Sequence, residues 1–203
     1  MIDAYSHHAD PGAPGGPLAF LFHGTGGNET QFLGLARDLL PGATLIAPRG
    51  DVSEHGALRF FRRTGEGVYD MDDFTRATAK MTGFVTAHVE AAAPSRVIGL
   101  GYSNGANILA SIILQNATLF DDAVLMHPLI PWDPAPAPVT TRVLITAGKR
   151  DPICPPDRTR ALETWLRAQG APVRTRWHEG GHEIARSEIE AVAAFLQMDE
   201  ASA

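Results

Sequence analysis

Apolar residues in the chain fall into runs of two kinds, and the kinds alternate. Short runs occupy Leu18–Phe22, Thr44–Ala47, Val97–Leu100, Ala123–Met126, Arg142–Thr146 and Val173–Trp177. Each is too short for a helix and most stop at Gly, Pro or His, which predicts strands of a mostly buried sheet. Helix-length stretches lie between them. Asn28 is placed to cap a helix over Glu29–Leu40 that stops at Pro41-Gly42. A second helix starts at Asp72 or Asp73 and runs to about Ala92, ahead of Pro94. Asn104–Gln115 is apolar on most sides, as a helix packed under a sheet should be. Asp157–Ala168 follows Pro155-Pro156 and ends at Gly170, and Glu183–Gln197 is the last helix. No internal repeat is present. This alternation predicts an α/β fold: a mostly parallel, twisted sheet of about six or seven strands, with right-handed crossovers and helices on both faces. Chemistry in such folds sits beyond the carboxyl ends of the strands, so the residues after each strand are the first to inspect.

Composition narrows the field. The 203 residues, 44% of them hydrophobic, suit one domain over residues 1–203 with a sizeable core. With 17 Lys and Arg against 23 Asp and Glu, the net charge is −6, which leaves no surplus cations for a general nucleic-acid binder. No apolar run approaches the roughly 18 residues of a membrane span, so no membrane partner is expected. The opening MIDAYSHHADPG lacks the basic and then apolar order of a signal peptide. The single cysteine, Cys154, has no partner for an internal disulfide, and a cytoplasmic location is expected. The 20 Gly and 15 Pro mostly punctuate the ends of apolar runs, and the dense stretch Pro128–Pro138 reads as a rigid loop. His7-His8 reads as a mobile surface pair.

One motif carries chemistry. Val97-Ile98-Gly99-Leu100 leads into Gly101-Tyr102-Ser103-Asn104-Gly105 and then a helix, a G-x-S-x-G in strand–turn–helix context. A serine hydroxyl is a weak nucleophile and must project towards a base. A sharp turn achieves this but crowds the residues two before and two after, where glycine relieves the crowding. The Asn104 N–H then points from the helix start at a developing oxyanion. Ser53, Ser95, Ser111 and Ser187 lack this setting.

A catalytic serine needs a histidine, and that histidine needs an orienting carboxylate. Asp151 sits just past the strand at Arg142–Thr146, before Pro152; its rival Asp157 opens a helix and reads as an N-cap. His182 lies between the last strand and the last helix, after Gly180-Gly181, and is the chosen base. His178, still at the strand end, is expected to pack in the sheet. His178-Glu179-Gly180-Gly181-His182 also spells H-E-x-x-H, a zinc-protease signature that works only on a helix. The paired glycines disfavour a helix by about 1 kcal/mol each, and no third ligand follows beyond Glu188 and Glu190, so no metal is assigned.

The first predicted strand ends in His23-Gly24-Thr25-Gly26-Gly27-Asn28-Glu29. Gly24-x-Gly26 resembles the start of a dinucleotide loop, but Glu29 stands where the third glycine belongs and would repel a pyrophosphate. The loop reads better as half of an oxyanion hole, with Thr25 N–H and Asn104 N–H as donors. His23 is expected to hold the loop rather than to act as a second base.

These motifs together resemble the α/β-hydrolase superfamily, and within it the small phospholipase/carboxylesterase branch. The stretch from Pro48-Arg49-Gly50 through Arg59-Phe60-Phe61-Arg62-Arg63 to Glu66-Gly67-Val68-Tyr69-Asp70 is similar to compact carboxylesterases of the hydroquinone-responsive group. The resemblance spans about residues 18 to 197. Two departures stand out. Only about 17 residues precede the first strand, so one or both leading antiparallel strands should be missing. The stretch from Met126 to Val139 is too short for a helical lid, which argues against a true lipase.

The implied activity is that of a serine carboxylesterase. Ser103, His182 and Asp151 form the triad, small short-acyl or aryl esters are the substrates, and no cofactor is needed. A thioesterase or lysophospholipase-like activity would use the same triad. A non-catalytic binding module on a hydrolase fold, or a zinc hydrolase through His178 and His182, are the readings from other classes. Leu129, Ile130 and Trp132 are candidate pocket walls, and loop packing is an equal alternative for them. The Arg59–Arg63 segment is expected to bridge local carboxylates such as Glu66 and Asp70, with an anionic substrate or a partner subunit as the alternatives. Cys154 is expected to serve packing. The resemblance also implies a homodimer.

Overall fold

A computed structural model describes residues 1–132 and 134–197; the final six residues of the expected domain lie outside the described residues. In chain order the elements are β1 (His7–Asp10), β2 (Leu18–Phe22), α1 (Leu33–Leu39), β3 (Thr44–Pro48), β4 (Val52–Glu54), β5 (Ala57–Arg59), β6 (Arg63–Gly65) and β7 (Val68–Tyr69). There follow α2 (Met71–Ala92), β8 (Val97–Tyr102), α3 (Asn104–Gln115), β9 (Asp122–Met126), β10 (Arg142–Gly148), α4 (Pro156–Ala168), β11 (Val173–His178) and α5 (Arg186–Leu196). Seven strands make one sheet in the order β1-β3-β2-β8-β9-β10-β11. β1 runs antiparallel to β3, and every other neighbouring pair is parallel. This is an α/β-hydrolase fold. The pairs β4–β5 and β6–β7 are short hairpins between β3 and α2.

The period-two alternation of the strands divides the core. Leu18, Phe20 and Phe22 face the layer of α2 and α3, with Phe74, Met81, Phe84, Ile108 and Ile112 in the same cluster, while Leu162 and Leu166 of α4 cover β10 and β11. Ala19 and Leu21 face the opposite layer, with Phe32, Leu33 and Ala36 of the α1 region and Val192, Phe195 and Leu196 of α5. Ten consecutive residues of α3, from Asn104 to Ile113, are buried, as its all-round apolar pattern requires. No helix among the described residues is long and apolar enough to cross a membrane.

The local expectations need three corrections. His7 and His8 are not a mobile surface pair: they open β1, and the His7 ring meets Phe84 and His88 edge-on. Four residues with only half-buried faces give too little periodicity to announce a strand. α1 starts at Leu33 rather than Glu29, because the Asn28 carboxamide oxygen takes the Thr30 N–H at 2.8 Å and forms a turn instead of a cap. α5 starts at Arg186 rather than Glu183, whose carboxylate instead accepts the Gly181 N–H at 3.0 Å. Between β9 and β10 the described residues contain no helix.

Candidate active site

Every candidate catalytic group follows the carboxyl end of a parallel strand. Ser103 links β8 to α3 with φ 52° and ψ −115°, a strained conformation that non-glycine residues seldom adopt. It is held by its N–H on the Met126 carbonyl at 2.8 Å and its own carbonyl under the Asn107 N–H at 2.9 Å. A Cβ on Gly105 would strike the backbone carbonyls of Phe22 and His23, and one on Gly101 would strike Gly105 itself. Backbone cannot yield as a flexible side chain can. Gly105→Ala is therefore expected to destabilise the protein by about 3 kcal/mol, the upper end for overpacking. Urea unfolding checks this, and an unchanged midpoint would contradict it.

The acid and base loops are tied together. Lys149 N–H donates to the His178 carbonyl and Arg150 N–H to the Gly180 carbonyl, both at 2.9 Å. Tyr102, next to the serine, donates its hydroxyl to the His182 carbonyl at 2.7 Å. This brings His182 Nε2 to 2.9 Å from Ser103 Oγ and His182 Nδ1 to 2.8 Å from Asp151 Oδ2. The other carboxylate oxygen of Asp151 accepts the N–H groups of Ile153 and Cys154, each at 2.9 Å. Burial alone would raise the Asp151 pKa. The hydrogen bonds from His127, His182 and the Cys154 N–H outweigh it and hold the carboxyl well below the usual range. Asp157, the rival acid, lies in the first turn of α4, on a different groove.

Thr25 and Asn104 line one cavity with Ser103, and among the described residues neither backbone N–H has an acceptor. Thr25 is anchored by its side chain: Oγ1 accepts a hydrogen bond from Arg59 Nη1 at 2.7 Å. Arg59 is itself buried and also donates through Nε to the Phe61 carbonyl. His23 holds this loop from below. Its Nδ1 donates to the Gly24 carbonyl at 2.7 Å and its Nε2 accepts the Gly50 N–H at 2.9 Å, an arrangement that a neutral ring satisfies. Burial draws its pKa down, in the same sense. The remaining arginines of the segment bridge carboxylates: Arg62 to Asp70 and Asp73, Arg63 to Glu54 and Glu66.

The cavity over Ser103 has a volume of about 240 Å³, and Leu129, Ile153, Cys154, Tyr69 and Asn107 form much of its wall. Leu129 is fixed there because its N–H donates to Asn107 Oδ1 at 2.7 Å and its carbonyl accepts the Tyr69 hydroxyl at 2.6 Å. Ile130 and Trp132 do not share this wall. The loop turns them onto a separate groove against Leu162 and Trp165 of α4, so of the three candidate pocket residues only Leu129 lies beside the serine. Cys154 is buried with its thiol 3.1 Å from the His127 carbonyl, and burial pushes its pKa up, which suits an inert packing residue.

Known proteins share this architecture. Residues 63–201 match the sequence model of the dienelactone hydrolase family. The chain belongs to that family. It is 40% identical over 177 residues to MhqD of Bacillus subtilis strain 168, a match covering 85% of this chain and 88% of that protein. The structure of Atu2452 from Agrobacterium tumefaciens strain C58, a protein of unknown function, is 58% identical with a TM-score of 0.93, covering 97% of this chain and 98% of that one. A Bacillus cereus carboxylesterase is 34% identical with a TM-score of 0.89, covering 95% and 93%. The carboxylesterase resemblance read from the motifs thus recurs among structural neighbours.

In this member of the dienelactone hydrolase family, two buried groups beside Ser103, His182 and Asp151 escaped the sequence reading. His127, directly after β9, places Nδ1 2.8 Å from Asp151 Oδ2, so two histidines share one carboxylate oxygen. Its Nε2 lies 3.0 Å from Glu188 Oε1. Burial lowers the His127 pKa, but the hydrogen bond to Asp151 and the close carboxylate of Glu188 overcome this and raise it to about 9. Glu188 was legible in one respect: it lies on the buried stripe of α5 with Val192 and Phe195, where an unpaired carboxylate is not tolerated. His178 ends β11, paired with Gly148, and its side chain is buried against the His127 ring. Its Nδ1 accepts the Gly180 N–H at 3.1 Å and its Nε2 faces Glu188 at 3.3 Å. The H-E-x-x-H pair therefore does not converge on one point, because His182 faces Ser103 while His178 faces Glu188.

Proposed function

We propose that this chain hydrolyses small carboxylic esters through an acyl-enzyme on Ser103. The observation carrying the reading is the unbroken relay from Ser103 Oγ through His182 to Asp151, at 2.9 and 2.8 Å, opening on a cavity. Ser103 Oγ attacks the ester carbonyl while His182 Nε2 takes its proton. The N–H groups of Thr25 and Asn104 stabilise the oxyanion. The intermediate collapses, and the proton passes from His182 to the departing alcohol. Water, activated by the same histidine, then releases the acid and restores the serine. Asp151 holds the imidazole in the tautomer whose Nε2 accepts.

The cavity supports the choice of small esters. Its volume lies below the roughly 300–1,000 Å³ of sites for drug-sized ligands. Among 4-nitrophenyl esters, acetate and butyrate are expected to give kcat/KM at least about tenfold above decanoate. This follows from the roughly 0.8 kcal/mol that each methylene contributes only when it finds a buried wall. A preference for decanoate would move the reading to a lysophospholipase-like activity.

A further inference from the structure

We propose that His127 is a positioning residue that works as a permanent imidazolium, clamped between Asp151 and Glu188 so that Asp151 can neither turn nor discharge while His182 cycles. The inference rests on the reading of Ser103, His182 and Asp151 as a triad.

Its first support is hydrogen-bond arithmetic. The His127, Asp151 and Glu188 side chains are all fully buried. A neutral imidazole has one N–H, yet both His127 nitrogens face carboxylate oxygens, at 2.8 and 3.0 Å. An ionised carboxylate cannot donate, so a neutral ring would oppose two lone pairs with no water between them. A cation donates to Asp151, meets Glu188 as a close ion pair that is not aligned as a hydrogen bond, and offsets one of two buried negative charges.

The surrounding groups are consistent with this charge. From α5 comes Glu188, and from the loop after β10 come Asp151 and Cys154, whose thiol faces the His127 carbonyl. From the end of β11 His178 brings Nε2 to 3.3 Å from the other oxygen of Glu188 without forming a hydrogen bond, and its Nδ1 accepts the Gly180 N–H. From the loop after β11 His182 stands with its ring 5.1 Å away, and Glu183 lies exposed beyond it. Tyr102 at the end of β8 meets the ring edge-on at 5.8 Å. The ion pairs of Asp151 run to His127 and His182, and those of Glu188 to His127 and His178, so His127 is the group that faces both carboxylates.

The consequence is geometric and electrostatic. Asp151 receives His127 and His182 on Oδ2 and two backbone N–H groups on Oδ1, which fills its acceptor sites and fixes its plane. With His127 charged, the buried set of Asp151, Glu188 and His127 carries −1 before His182 takes the serine proton. Without it the set carries −2, and His182 would bind its proton too tightly to return it.

His127→Asn tests this. Asparagine tolerates the positive φ of 52° at this position, and its amide nitrogen can replace Nδ1 towards Asp151, but the charge is gone. The acid limb of the kcat/KM profile is expected to move up by about two pH units, the size for a unit charge some 5 Å away at an effective dielectric of about 20. A merely structural histidine would lower the labelled fraction of enzyme without moving that limb. In wild type, long-range proton–nitrogen spectra of labelled histidine are expected to show one imidazolium persisting at pH 8 among the eight histidines. This second readout needs no variant to fold and no catalysis, so it separates failure of this inference from failure of the triad. An unmoved acid limb in a fully labelled variant would overturn the proposal. So would a wild type without that imidazolium, including one whose His127, His178 and Glu188 hold a metal ion instead.

Discussion

Ser103→Ala is expected to lower turnover of 4-nitrophenyl acetate by about a million-fold, the loss seen when a serine or histidine is removed from a catalytic unit. The size follows from what disappears. The hydroxyl 2.9 Å from His182 Nε2 is the only group of the relay able to form the covalent intermediate. The N–H donors of Thr25 and Asn104 remain and keep a residual rate over water. The companion measurement is intact mass after a fluorophosphonate probe, with and without a chelator. Wild type is expected to gain one adduct that the chelator does not affect, and the variant none. A variant that kept more than about a hundredth of the activity would end the assignment, since the remaining groups cannot supply so much. No adduct on well-folded wild type would favour a binding module or a metal site.

The second large effect is Asp151→Asn, expected to cost about ten-thousand-fold in kcat with little change in the fold. The protein decides which way the new amide points. Ile153 and Cys154 present two backbone N–H groups to Oδ1, so the amide oxygen must stay on that side. The amide nitrogen then faces His127 and His182, where Oδ2 had accepted from both. His182 is driven to the tautomer with its proton on Nε2, and it can no longer take the proton of Ser103. His127 loses its second carboxylate at the same time, so the damage reaches the whole buried set. Steady-state turnover and the rate of probe labelling should fall together. A loss below about tenfold would show that Asp151 does not orient the base.

The motifs of this site were visible because each imposes a local requirement. Gly101 is required because a Cβ there meets the Gly105 backbone, a constraint within the turn that leaves a pattern in the sequence, whereas Gly105 is required by the backbone of the distant Phe22 and His23. Asp151 and His182 could be nominated because strand–helix alternation marks the ends of β10 and β11, where Asp151 is the first carboxylate and His182 the first histidine beyond the strand. The wall residues were harder. Leu129, Ile130 and Trp132 fall within one apolar loop, and the Asn107 and Tyr69 hydrogen bonds hold the first at the cavity while the others line a separate groove. β1 was hidden for a similar reason: its pairing with β3 makes it a strand, and its own side chains do not.

By itself the sequence determined the alternating fold, the strained serine turn and the chemical types that follow each strand, since these depend on periodicity, steric exclusion and short-range spacing. Tertiary structure alone decided which buried groups stand behind Ser103, His182 and Asp151. His127 and Glu188 lie 61 positions apart by their residue numbers and share no motif, yet β9 and α5 bring them to 3.0 Å with no solvent between them. A carboxylate or an imidazole is ordinary in water. It becomes a constraint on its neighbours only when burial removes the water that would otherwise satisfy it.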